Sequence, residues 1–119
     1  ETATPVRGGI ARERLRRVLD YIDANLADDL PLADLAAIAG MSEHYFVERF
    51  RRSTGDPPHR YVLQQRIERA RRALGDRRRR PSVMDAAAES GFTNASHFAR
   101  VFRRFTGVTP SRYRSDALA

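Results

Sequence analysis

The sequence has no cysteine, no tryptophan and no lysine. Without cysteine there is no disulfide framework and no thiolate metal site, which fits a reducing cytoplasm. No apolar run approaches the ~20 residues of a membrane span, and no signal-peptide pattern opens the chain. Strand signals are missing as well, because the β-branched residues are scattered and do not alternate. Catalytic constellations are equally scarce. There is no glycine-rich phosphate loop and no Ser-His-Asp order, and Glu68 and Asp85 read as isolated surface acids rather than a catalytic pair. His44, His59 and His97 fall on three different predicted helices without paired-ligand spacing, so no metal and no cofactor is expected. The chain does not read as an enzyme.

What the sequence does have is positive charge. Its 119 residues carry a formal net charge of +7, and all 22 basic residues are arginine. The missing lysine is explained by the codon bias of a G+C-rich genome. The net charge is not, since acidic residues were equally available. A basic domain of this size usually meets a polyanion. The length suffices for one domain or two small lobes with their own cores.

Helical periodicity dominates. Ile10, Leu15, Val18, Leu19, Ile22 and Leu26 predict a first amphipathic helix over about 11–26, broken by Leu30-Pro31. Leu32, Leu35, Ala36 and Ile38 predict a short second helix ending at Gly40. Ser42 caps a third, about 43–54, closed by Gly55. A long fourth helix follows over about 58–74, with Tyr61, Val62, Leu63, Ile67, Ala70 and Leu74 inward. Residues 77–80, four consecutive arginines before Pro81, read as a solvated loop, with a contact to flanking nucleic-acid backbone as the sharper alternative. Ser82 caps a fifth helix to Ser90, Thr93 or Asn94 a sixth to about Thr106, and Pro110 starts a last one over about 110–117. The expected fold is all-α, with seven helices.

A duplication organises these helices. Phe46, Phe50, Arg51, Arg52, Thr54, Gly55, Pro58, Arg60 and Tyr61 recur as Phe98, Phe102, Arg103, Arg104, Thr106, Gly107, Pro110, Arg112 and Tyr113, each 52 residues further on. Gly40 recurs as Gly91 with a shift of 51, so one residue has been added after that glycine. Two copies at so long a spacing make a duplicated module rather than a solenoid. A short helix, a glycine turn and a longer helix with a basic outer face make a helix-turn-helix. The expected division is a linker or tag remnant at 1–10, a first lobe at 11–56, a linker helix at 57–75 and a second lobe at 76–119.

The outer faces follow from spacing. His44, Val47, Glu48 and Arg51 share one side of the third helix, and Ser96, Ala99, Arg100 and Arg103 the matching side of the sixth. These residue types suit base edges in a major groove. Arg100 can fork onto guanine, Glu48 can accept from cytosine N4, Val47 and Ala99 can touch a thymine methyl, and His44, Asn94 and Ser96 are short polar readers. Arg51, Arg52, Arg103 and Arg104 lie a turn deeper, with Ser42 and Thr93 at the helix starts, and are assigned to phosphates. A bridging helix of about 17 residues spans roughly 25 Å. With the width of the lobes added, that allows one chain to occupy two successive grooves ~34 Å apart.

The stretch GFTNASHFARVFRRFTGVTPSRYR, with its Gly-Phe, spaced aromatics, Gly-x-Thr-Pro and Tyr-Arg, resembles the signature of the AraC/XylS family of bacterial transcriptional regulators. The resemblance runs from about Leu15 to Arg114. It implies two helix-turn-helix lobes joined by a long helix, binding to a promoter operator through both lobes, and contact with RNA polymerase. It places the base-facing positions on His44, Val47 and Glu48 in the first lobe and on Ala95, Ser96 and Arg100 in the second. It further implies a separate effector or dimerisation domain N-terminal to this one. A first residue that is Glu rather than Met suits such a fragment. Three departures stand out. Ala86 replaces a larger aliphatic residue, so the helix MDAAAES is expected to be lightly packed. The loop GDRRRRP is unusually basic, and Glu48 puts a negative charge on a reading face.

The reading is therefore a cytoplasmic, sequence-specific binder of double-stranded DNA. The rivals are a non-specific architectural DNA binder, which Glu48 and the short polar readers argue against, and a helical protein-interaction module docking through the long helix. RNA binding is a weaker option, for want of an exposed aromatic platform.

Overall fold

The computed structural model describes residues 8–119. Its helices are α1 (Arg12–Ala24), α2 (Leu32–Ala39), α3 (Glu43–Thr54), α4 (Pro58–Leu74), α5 (Val83–Glu89), α6 (Ala95–Thr106) and α7 (Pro110–Leu118). Among the described residues there is no strand. The fold is all-α, two helix-turn-helix lobes joined by a long linker helix. Residues 1–7 of the expected linker lie outside the described residues. Ile10, at the end of that segment, is buried, and its N–H donates to Ser53 Oγ at 2.8 Å.

The chain divides into two compact units. Residues 8–25 with Asp29–Val62 form the first, and Leu26–Asp28 with Leu63–Ala119 the second. In the first, α1 packs on α2 and α2 on α3. Val18, Ile22, Leu35, Ala36, Phe46 and Phe50 are its deeply buried apolar side chains. Burying an aromatic of this size stabilises by roughly 2–3 kcal/mol, so the narrow stripe of α3 is enough to hold it while its other faces stay wet. The helix starts and stops are set locally. Ser42 Oγ accepts from Tyr45 N–H at 3.4 Å, and Gly40 and Gly55 end α2 and α3 in the left-handed region.

In the second unit, α5, α6 and α7 pack on one another and on the C-terminal part of α4. The core joins Leu63, Ile67, Ala70, Ala73 and Leu74 to Ala86, Ala87, Phe92, Phe98, Val101 and Phe102. The brace helix α5 is not loose, because Ala86 is fully buried and the Phe92 ring lies 4.9 Å from that of Phe98. Alanine suffices where a neighbouring aromatic supplies the bulk.

The duplicated frame is repeated bond for bond. Thr54 Oγ1 donates to Phe50 O at 2.9 Å and accepts from Asp56 N–H, while Thr106 Oγ1 donates to Phe102 O at 2.8 Å and accepts from Val108 N–H. Gly55 N–H donates to Arg51 O and Gly107 N–H to Arg103 O, both at 2.8 Å. The Tyr61 ring meets Phe50 edge-on at 5.4 Å, and Tyr113 meets Phe102 at 5.7 Å. Tyr61 is half-buried rather than inward; burial, reinforced by Asp23, pushes its hydroxyl pKa up.

The end of the first helix differs from expectation, and the arginine loop, exposed as expected, has partners as well. The first helix ends at Ala24, not at 26, with the Asn25 amide donating to Tyr21 O at 2.9 Å. Leu26 keeps the apolar period yet belongs to the second unit, so burial continued past the helical hydrogen bonds. The arginine loop is exposed but tied down. Arg79 forks onto Glu89 at 2.7 and 3.0 Å, and Arg77 donates to Ala119 O at 2.7 Å. The backbone N–H groups of Arg78 and Arg79 donate to Asp76 Oδ1 at 2.9 and 3.2 Å, and hold that carboxyl below its usual pKa.

Candidate nucleic-acid interface

None of the predicted readers is turned into a core. Ser42, His44, Glu48, Arg51 and Arg52 are exposed on or at the start of α3, with Val47 half-buried between them. Thr93, Asn94, Ala95, Ser96, Arg100, Arg103 and Arg104 are exposed on or before α6, beside a half-buried Ala99. Each set is opposite a buried stripe, Phe46 and Phe50 in one helix and Phe98, Val101 and Phe102 in the other. The periodicity that buries the phenylalanines is what presents these residues on the far side.

Some readers have structural duties. Asn94 Oδ1 caps α6 by accepting from His97 N–H at 2.8 Å, which leaves its amide group as the free donor. The His97 ring lies 5.8 Å from Phe92. His44 packs edge-on against Tyr45 at 5.8 Å.

The two faces differ in charge. In α3, Glu48 Oε2 accepts from Arg51 Nη2 and from Arg52 Nε, each at 2.9 Å. The Arg52 and then the Arg51 hydrogen bond hold the Glu48 carboxyl below its ordinary pKa, so it is fully ionised at neutral pH. In α6 the matching residues are Arg100, Arg103 and Arg104, and among the described residues none of the three has a carboxylate partner.

Sequence reasoning passed over a cleft at the start of α3. Arg14, Gly40, Met41, Ser42, Tyr45 and Arg49 line about 480 Å³. Tyr45 is 60% exposed with the Arg49 guanidinium 5.5 Å from its ring centre, and Arg14 donates to Ala39 O at 3.3 Å. Tyr45 directly precedes the buried Phe46, so its outward position was available from the helical period. The approach of Arg14 from α1 was not. Elsewhere arginines brace the fold. Arg66 donates to Leu26 O and Asp28 O at 3.0 and 2.7 Å, and Arg114 to Pro81 O at 2.8 Å. Among the described residues no helix is long and apolar enough to cross a membrane.

Comparison with known proteins adds to this geometry. A helix-turn-helix domain family matches residues 35–116. An uncharacterized HTH-type transcriptional regulator of Staphylococcus aureus is 35% identical over 104 residues, covering 87% of this chain and 14% of that protein. The probable transcriptional regulator LumQ of Photobacterium leiognathi is 34% identical over 103 residues, 85% of this chain and 41% of LumQ. The chain thus spans well under half the length of these curated relatives. Among solved structures, the DNA-binding domain of AdpA, a global transcriptional factor crystallised in complex with a target DNA, superposes with a TM-score of 0.79 at 32% identity. That match covers 87% of this chain and 91% of that one. A probable AraC family transcriptional regulator from Rhodopseudomonas palustris gives the same TM-score, 0.79, and 32% identity, over 90% and 99% of the two chains.

Proposed function

The chain belongs to the AraC-type helix-turn-helix family of transcriptional regulators, and from that premise we propose that it binds double-stranded operator DNA sequence-specifically, with α3 and α6 reading two adjacent major grooves. The observation that carries the proposal is the pair of outward faces matched across the duplication, each backed by buried phenylalanines. The likeness to a domain solved on its target DNA supports it.

In this reading, Arg100 forks onto guanine, and Ala95, Ser96 and the Asn94 amide contact neighbouring base edges. His44, Val47 and Glu48 do the same for the first lobe. Arg51, Arg52, Arg103 and Arg104, helped by Ser42 and Thr93, neutralise phosphates and fix the register. The parent protein acts in the cytoplasm and carries a further effector or dimerisation domain, and it contacts RNA polymerase when bound.

Two measurements test the proposal. If about six to eight phosphates are neutralised, log K falls with log salt at a slope of roughly −5 to −7. A slope near zero removes the mechanism. Selection of bound fragments from random duplex should return two motifs about one helical turn apart. A single motif, or none, would restrict reading to one lobe or reject it.

A further inference from the structure

Resting on the DNA-binding reading above, we infer that Glu48 gates the first lobe. It keeps Arg51 and Arg52 off the phosphate backbone until a cytosine N4 amine takes the carboxylate in their place. The observation is the three-residue cluster on α3, in which one carboxylate oxygen accepts from both guanidinium groups at 2.9 Å. All three side chains are about half exposed, so the cluster stands on the face assigned to DNA rather than inside the fold.

The physical argument is a competition for the same charges. A guanidinium forked onto a carboxylate has its best donors occupied, and releasing it strands an anion. On a random duplex, placing Arg51 and Arg52 on phosphates leaves Glu48 facing a major groove. In the register that the phosphate contacts fix, guanine O6 and N7 or thymine O4 meet the carboxylate with acceptors only, adenine sets its N6 amine beside the repelling N7 acceptor, and the phosphates repel a carboxylate as well. The first lobe then gains little. Where cytosine presents its N4 amine, Glu48 gains a donor, and both arginines are free for flanking phosphates. Base recognition and phosphate grip are thereby coupled through one residue. The second lobe has no such device. Arg100, which occupies the matching place, adds to the cationic face instead of cancelling it.

A merely structural role predicts otherwise. An exposed helix pair is worth about 0–1 kcal/mol in stability, and its loss would leave DNA affinity alone. The test compares the chain with Glu48→Gln and Glu48→Arg. Each is titrated onto random-sequence duplex, and onto the duplex that the unaltered chain selects, across a salt series. Helical content by circular dichroism checks the fold, which an exposed substitution leaves intact.

Glu48→Gln is expected to bind random duplex about three- to tenfold more tightly. Its salt slope should steepen by up to about 2, as two guanidinium groups reach phosphates. Its preference at one C·G pair should be lost. Glu48→Arg is expected to go further in the same direction. Unchanged affinity for random duplex would overturn the inference. So would tighter binding at an unchanged slope, since the gain would not come from phosphate contacts. If the unaltered chain binds no duplex in a salt-dependent way, the DNA-binding reading itself fails, and the gate with it. If it binds and the variants match it, the gate alone fails.

Discussion

In the first lobe residue 48 is a glutamate; in the second the matching residue, 100, is an arginine. Around that difference the two lobes are built alike, down to the threonine hydroxyls that close α3 and α6. Counted along the helix, α3 has three arginines against two glutamates, and α6 three arginines against none. The difference teaches that a duplicated frame can be kept while its electrostatics diverge. The buried stripe tolerates little change, because its rings are close-packed. The outward face is free to vary, because it is wet. In the proposed division of labour, α6 supplies grip and α3 supplies discrimination.

A second contrast lies in the turns. Gly40 and Gly91 both adopt a left-handed backbone, φ +70° and +93°. A side chain at Gly40 would meet only the flexible end of Arg14 at 3.2 Å, whereas one at Gly91 would lie 2.5 Å from Leu26 O and 2.8 Å from Arg66 Nε. Gly91→Ala should therefore cost about 3–5 kcal/mol and Gly40→Ala about 1–2. Urea unfolding monitored by circular dichroism measures both. Equal losses would mean that the close approach to the Leu26 carbonyl does not distinguish the lobes.

The next effect is on binding. Arg104→Ala should weaken association with random duplex about five- to tenfold, because no carboxylate among the described residues holds that guanidinium. Arg52→Ala should change it less than about twofold, because Glu48 already holds that group. Equal effects in a competition assay would erase the electrostatic difference between the lobes. The smallest effect concerns Ser90, which is fully buried with no partner for its hydroxyl among the described residues. The first lobe has Ala39 at the matching place, also fully buried. Ser90→Ala should be neutral or should stabilise by up to about 1 kcal/mol, since an unsatisfied buried hydroxyl is removed. A clear loss of melting temperature would show that the hydroxyl finds a partner.

Most of the fold was legible beforehand. The phenylalanine spacing, the caps at Ser42, Ser82 and Asn94 and the glycine stops placed α2 to α7 within a residue or so of where they lie. The end of α1 was misjudged, because Leu26 continues an apolar period that serves another unit. The outward placement of the site residues followed from the same period. Their commitments did not. Glu48 is shared by Arg51 and Arg52, and Arg79 is paired with Glu89, ten residues away. The four-arginine loop is exposed as its composition suggests, and only the partners of Arg77 and Arg79 were hidden.

By itself, then, the sequence determined what depends on neighbours along the chain: helical period, capping, duplication and net charge. Those terms act over one or two turns, where spacing fixes geometry. The tertiary structure decided what the arginines that reach beyond their own helix hold. Arg66 reaches the carbonyls of Leu26 and Asp28, and Arg114 those of Arg80 and Pro81. Which distant carbonyl comes within reach depends on how the chain folds back, and 22 chemically identical side chains give no local sign of it.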